Sequence, residues 1–153
     1  MTSLASEVIK ALAGKTLATA ESCTGGMIGQ LLTGVPGASL VYKGGVISYT
    51  NEVKQNVLGV DGEALAKFGA VSAQTAAAMA SGVRKLLNTD AAVSVTGLAG
   101  PGGDEYDNAV GTVFIGFDSQ RHSEVKEFHF TGDREAVRRQ AAEAALKLIL
   151  ENV

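Results

Sequence analysis

Tryptophan is missing from this chain, cysteine occurs once, proline twice, and aromatic residues make up 5% of the 153 positions. One cysteine excludes a disulfide framework, and so few aromatics argue against a base-stacking platform for nucleic acid. A basic excess is lacking as well. Thirteen Lys and Arg face sixteen Asp and Glu, a net charge of -3, which supplies no positive field to gather nucleic acid or an anionic membrane. No apolar run approaches the length of a membrane span, and the N-terminus lacks the basic-then-apolar order of an export signal. What abounds is small, with 19 glycines and 23 alanines. A chain of this length buries roughly two-thirds of its unfolded surface, so it needs neither disulfide nor structural metal. The expectation is one cytoplasmic α/β domain over 1–153 without nucleic-acid or membrane partner.

Hydrophobic periodicity places a first helix over 3–13, with Ser3 as cap and Gly14 as stop. A short strand from Thr16 to Ala20 runs into Glu21-Ser22-Cys23-Thr24-Gly25-Gly26, after which Met27 to Leu32 reads as helix. Val46 to Tyr49 reads as a strand entered through Gly44-Gly45. Thr50 or Asn51 then caps a short helix carrying Lys54, closed by Gly59. A minor helix at Ala64 to Phe68 precedes a long alanine-rich one from Ser72 to about Leu87. Ala91 to Thr96 has the continuous apolar pattern of a strand covered on both faces, and Gly97-Leu98-Ala99-Gly100-Pro101-Gly102-Gly103 breaks it. Val110 to Phe117 and Glu124 to Phe130 form a hairpin whose second strand is an edge. A last helix starts near Asp133 and buries Val137, Ala141, Ala144 and Leu148. The alternation predicts a three-layer α/β/α sandwich with a mixed, mostly parallel sheet.

Chemistry is indicated at the two glycine-rich breaks. Ser22 lies between a strand and a helix, with Gly25 and Gly26 leaving main-chain N–H groups unobstructed beside it. That suits a nucleophile with an oxyanion hole, or an anion cradle; the plain alternative is a turn that Ser22 or Thr24 caps. The Lys-Ser/Thr ending of a Walker loop is absent. His122 and His129 sit in or beside the edge strand, so a Ser-His-Asp triad is poorly supported, and without a Cys/His/Asp cluster no metal is expected. Lys54 is the better base. It follows a helix start whose dipole disfavours an ammonium, and burial among small residues would supply most of the roughly 3-unit fall in pKa it needs; otherwise it is a solvated surface lysine. Tyr49 would orient Lys54 or relay a proton, or simply pack. Cys23 is read as packing rather than as the nucleophile, for want of a paired histidine. Thr96, Gly97, Ala99 and Gly100 form a second set of open donors at a strand end, and such ends gather into one crevice in open α/β sheets. Arg134, Arg138 and Arg139 at the last helix suit a phosphate or a solvated face balanced by Glu135 and Glu143.

Ala20 to Gly26, Tyr49 to Lys54, Gly69-Ala70-Val71-Ser72, Val95 to Pro101 and Gly132-Asp133-Arg134, in this order, resemble the CinA C-terminal domain family, the nicotinamide-nucleotide amidases. The resemblance covers nearly the whole chain and looks like the family's stand-alone or excised form. It implies hydrolysis of the carboxamide of nicotinamide mononucleotide to nicotinate mononucleotide and ammonia, without metal or cofactor, in a homodimer. Carried over by motif, Ser22 is the nucleophile, Lys54 the general base and Tyr49 a supporting residue. Thr24, Gly25, Gly26, Thr96, Gly97, Ala99 and Gly100 are placed around the substrate, and Arg134 or Arg138 at its phosphate. The family commonly continues after Pro101 with more glycine and a Lys-Pro pair, whereas this chain reads Gly102-Gly103-Asp104-Glu105-Tyr106-Asp107-Asn108-Ala109. An acidic stretch there would weaken phosphate binding or change the substrate. That departure, with the family's association with competence and DNA damage, motivates the alternative of a non-catalytic nucleotide-sensing or interaction domain.

Overall fold

The computed structural model describes residues 3–153. Its sheet comprises β1 (Leu17–Glu21), β2 (Tyr42–Ile47), β3 (Ala91–Gly97), β4 (Thr112–Ser119) and β5 (Ser123–His129), in the order β2-β1-β3-β4-β5. β1 pairs in parallel with both β2 and β3. β4 runs antiparallel to β3, and β5 antiparallel to β4, so β4 alone opposes the other four. The helices are α1 (Leu4–Ala11), α2 (Met27–Thr33), α3 (Asn51–Asn56), α4 (Gly62–Phe68), α5 (Ala73–Leu87) and α6 (Arg134–Glu151). Since β2 lies on one side of β1 and β3 on the other, two crossovers of the same hand put α2 and α5 on opposite faces of the sheet. The result is an α/β/α sandwich.

The faces are built from different residues. Against α4 and α5 the sheet presents Ala18, Ala20 and Ala92, and the helices bring Leu65, Met79 and Val83 to them. Small strand residues let α5 lie close: the Ser94 hydroxyl donates to Ala76 O at 2.6 Å, and a Cβ on Gly116 would stand 2.8 Å from that same oxygen. The opposite face carries Leu17, Val93, Val95, Ile115 and Phe117 beneath α1, α2 and α6. Each fully buried Leu, Ile or Phe there contributes roughly 1.5–3 kcal/mol.

Local signals explain most helix starts. Ser3, Thr50, Asp61, Ser72 and Asp133 each accept a main-chain N–H from the first turn that follows, which satisfies a donor the helix leaves unpaired. Two sequence expectations need correction. Gly44 and Gly45 do not lead into β2 but lie within it, because β2 packs so tightly on β1 that a Cβ at Gly45 would collide with Thr19. In α6, Ala144 is only half-buried, and Ala145 takes the core position expected of it.

Candidate active site

The C-terminal ends of the three parallel strands lie side by side. Ser22, one residue beyond β1, donates its main-chain N–H to Val95 O of β3 at 3.0 Å, and Ser48, one beyond β2, donates to Glu21 O at 2.8 Å. These bonds carry the ladder one step past the strands and put Ser22 between the ends of β2 and β3. A cavity of about 620 Å³ opens there, lined by Ser22, Lys54, Tyr49, Thr96 and Arg134 among others. Thr96, Gly97, Ala99 and Gly100 all lie on its wall. The Thr96 hydroxyl is already committed to Ala70 O at 2.7 Å.

Lys54 is 1% exposed and is among the largest fully buried side chains of the described residues. Its Nζ lies 2.9 Å from Ser22 Oγ, 2.7 Å from Ser48 O and 3.4 Å from Tyr49 O. These three oxygens serve both protonation states: an ammonium donates to all three, and a neutral amine donates to the two carbonyls and accepts from the Ser22 hydroxyl. Burial lowers the Lys54 pKa from 10.5 to about 8. Helix α3 is only six residues long, with Lys54 in its last turn, so the cause is desolvation and not the helix dipole. Ser22, 7% exposed, thus faces an amine that loses its proton as pH rises through about 8, more than two units below an ordinary lysine.

Cys23 is 5% exposed and belongs to the apolar core. Burial pushes its thiol up to about 11, which keeps it protonated and unreactive near neutral pH.

Five expected site residues are placed or used differently. The Tyr49 hydroxyl does not reach Lys54; it accepts from Arg134 Nη2 at 3.0 Å, and it is the Tyr49 carbonyl that touches the amine. Arg138 does not line the cavity but donates to Cys23 O at 2.9 Å and Thr24 O at 3.2 Å. The Gly25 N–H, expected to face substrate, is bonded to Ser22 O at 3.0 Å. Gly25, Gly26 and Thr24 all lie off the cavity wall. Arg134 remains the arginine of the cavity, held to Gly100 O at 2.7 Å, while Arg139 pairs with Glu135 on the surface.

Glu21 was not singled out from sequence. It is 2% exposed, and its carboxylate accepts from Thr24 Oγ1 at 2.7 Å, Ile28 N at 2.9 Å and Gly29 N at 3.0 Å. Helix α2 begins at Gly26, which has no side chain to cap with. Glu21 therefore fills that helix terminus from within, and the start of α2 is closed to a substrate anion. A glutamate ending a strand just before a Gly-Gly helix start is the signal that marks it.

The acidic loop is ordered by its own hydrogen bonds. Although burial works against it, bonds from the Asn108 side chain and from main-chain N–H groups of Asn108 and Tyr106 hold the Asp104 carboxyl below its usual range. Tyr106 donates to Ala66 O of α4 at 2.8 Å. Asp104 is thereby spent on the loop, and Glu105 adds a carboxylate to the cavity rim. Among the described residues, no group of three or more His, Cys, Asp or Glu is placed to hold a metal ion, and no helix is long and apolar enough to cross a membrane.

The CinA C-terminal domain model matches residues 1–153. A CinA-like protein of Thermotoga neapolitana is 49% identical over 133 residues, which are 87% of this chain and 32% of that protein. A putative competence-damage inducible protein of Bacillus subtilis is 48% identical over 138 residues, 90% of this chain and 33% of that one. The chain thus spans about a third of the length of these curated relatives. Among solved structures, the competence damage-inducible protein A of Klebsiella pneumoniae superposes with a TM-score of 0.94 at 39% identity, over 97% of this chain and 93% of that one. A CinA superfamily protein of Escherichia coli gives 0.96 at 32% identity, over 98% and 88%. With its sandwich fold, its ordered motifs and a family match along its whole length, the chain belongs to the CinA C-terminal domain family.

Proposed function

We propose that this chain is an amidohydrolase that deamidates nicotinamide mononucleotide through a Ser22–Lys54 dyad. The observation that carries the reading is the 2.9 Å approach of the buried Lys54 Nζ to Ser22 Oγ. Ser22 Oγ attacks the carboxamide carbon as Lys54 takes its proton. Main-chain N–H groups of the turn after Ser22 hold the developing oxyanion. Lys54 then passes the proton to the departing nitrogen, ammonia leaves, and an acyl ester of Ser22 remains. Water, losing its proton to Lys54, cleaves that ester and releases nicotinate mononucleotide. Arg134 offers its guanidinium to the phosphate. A cytoplasmic homodimer belongs to the same reading, its subunit count to be read from sedimentation equilibrium.

The test is ammonia release from nicotinamide mononucleotide by wild type, Ser22→Ala, Cys23→Ala and Lys54→Ala. Activity in wild type and Cys23→Ala, with loss in the other two, is the expected pattern. No release by wild type overturns the amidase and favours the binding-domain alternative; activity surviving in Ser22→Ala overturns the serine mechanism.

A further inference from the structure

Three consecutive carbonyls in the turn after Ser22 are fastened by donors. Ser22 O accepts from the Gly25 N–H at 3.0 Å and Thr24 O from the Met27 N–H at 3.1 Å. Arg138 reaches across from α6 and donates Nε to Cys23 O at 2.9 Å and Nη2 to Thr24 O at 3.2 Å. In a planar trans peptide the C=O and N–H point opposite ways. Holding the carbonyls of Ser22 and Cys23 therefore turns the N–H groups of Cys23 and Thr24 away from those donors. Among the described residues no carbonyl accepts from either N–H. Of the other donors in the turn, Gly25 is spent on Ser22 O and Met27 on Thr24 O, and Ile28 and Gly29 on Glu21; among the described residues the Gly26 N–H is the one left beside those of Cys23 and Thr24.

We propose that Arg138 is a positioning residue for the oxyanion site, fastening and polarising the Cys23–Thr24 peptide from behind so that the negative oxygen is received by the N–H of Cys23, which lines the cavity, and by the adjoining N–H of Thr24, whose side chain is turned off the cavity wall to Glu21. The inference rests on the amidase reading and deepens it. A cation on a carbonyl oxygen draws charge through the amide and makes that amide's N–H a stronger donor. Fixing the donors beforehand removes the cost of reorganising them as charge develops. Arg138 acts through Thr24 and does not touch the phosphate, which leaves Arg134 as the arginine of the cavity.

The experiment compares Arg138→Met and Arg138→Lys with wild type on nicotinamide mononucleotide and on nicotinamide riboside, which lacks the phosphate. Both variants are assayed below their unfolding midpoints, followed by circular dichroism. Expected for Arg138→Met is a fall in kcat of about ten- to fiftyfold on both substrates with KM within about twofold, less than the loss of a direct oxyanion donor. Arg138→Lys, which keeps the charge but gives up the two-pronged contact, falls in between. A rise in KM confined to the phosphorylated substrate overturns the proposal and makes Arg138 a phosphate ligand; unchanged kinetics overturn it too. A second readout is independent of amide turnover: modification of Ser22 by phenylmethylsulfonyl fluoride. There an O–S bond forms, fluoride leaves and the hydroxyl proton passes to Lys54. The rate is expected to fall about tenfold in Arg138→Met, and equal rates overturn the proposal. If wild type releases no ammonia from either substrate, the amidase reading fails while the sulfonylation ratio still decides the role of Arg138.

Discussion

At the C-terminal ends of β1, β2 and β3 a cavity of about 620 Å³ surrounds Ser22 and Lys54. At the opposite end of the sheet, where Lys15 and Asp90 meet the β4–β5 hairpin and the end of α6, lies one of about 720 Å³. Size therefore does not distinguish them, and neither does the presence of titratable groups: the second is lined by Lys15, Asp90, Arg121, His122 and Glu151. What differs is solvent. Each of those five is exposed, and their contacts are ordinary surface ones, such as Asp90 accepting from Thr16 N at 2.8 Å and Glu151 pairing with Lys126 at 2.7 Å. Exposed pairs of this kind contribute about 0–1 kcal/mol. At the first end a lysine is taken out of water beside a serine, and its proton affinity changes as a result. A buried titratable group whose pKa is displaced, in a cleft and next to a nucleophile, marks a functional site in a way that volume does not.

The largest effect that would test this contrast is on Lys54 itself. Lys54→Met is expected to lower ammonia release by about a thousandfold or more, since both proton transfers depend on the amine. The same variant is expected to be more stable to urea at pH 7, by about 1–3 kcal/mol. The sign follows from burial. The folded pKa of about 8 lies below the ordinary 10.5, so the unfolded chain binds the proton more tightly and protonation favours unfolding. That burden on the wild type is fully present below pH 8, fades as pH rises from 8 to 10.5, and is gone above. The advantage of Lys54→Met should vanish over the same interval, and a less stable variant at pH 7 would count against a desolvated amine.

Next is the wild-type pH profile. Because the neutral amine is the base, kcat/KM should climb about tenfold per pH unit and level off near pH 8. An activity flat from pH 6 to 8 would put the base elsewhere. A smaller effect is expected at Glu21. Glu21→Gln sets an NH₂ group against donors that now share a carboxylate, and should cost about 1–3 kcal/mol in urea unfolding. The smallest concerns the opposite end, where Arg121→Ala and His122→Ala are expected to stay within about 0.5 kcal/mol of wild-type stability with kcat/KM unchanged. Loss of activity there would mean that the two ends are coupled.

Much of the architecture was legible in the residues. Capping by Ser3 and Thr50, the starts of the long helices at Ser72 and near Asp133, the continuous apolar run of β3 and the alternating pattern of β5 rest on local preferences that the fold does not override. Both glycine breaks were recognised as strand ends, and they do flank one cavity. Three details were not legible. β2 absorbs Gly44 and Gly45, because the need for a residue without a side chain comes from Thr19 on the neighbouring strand. Gly25 suggested an open donor, yet its N–H closes the turn on Ser22 O. The arginines of α6 look alike in sequence, but one turn of helix separates Arg134, at the cavity, from Arg138, behind the nucleophile turn.

Sequence was sufficient for the order of strands and helices and for a serine at a strand-to-helix turn, since these depend on residues a few positions apart. Tertiary structure decided that Lys54, distant in the chain, reaches Ser22 and loses its water on the way. It also decided that Glu21 closes the start of α2 and that Arg138 holds the carbonyls of the turn. Proton affinity and the direction of a main-chain N–H depend on which groups surround them in space, and no spacing along a chain contains that.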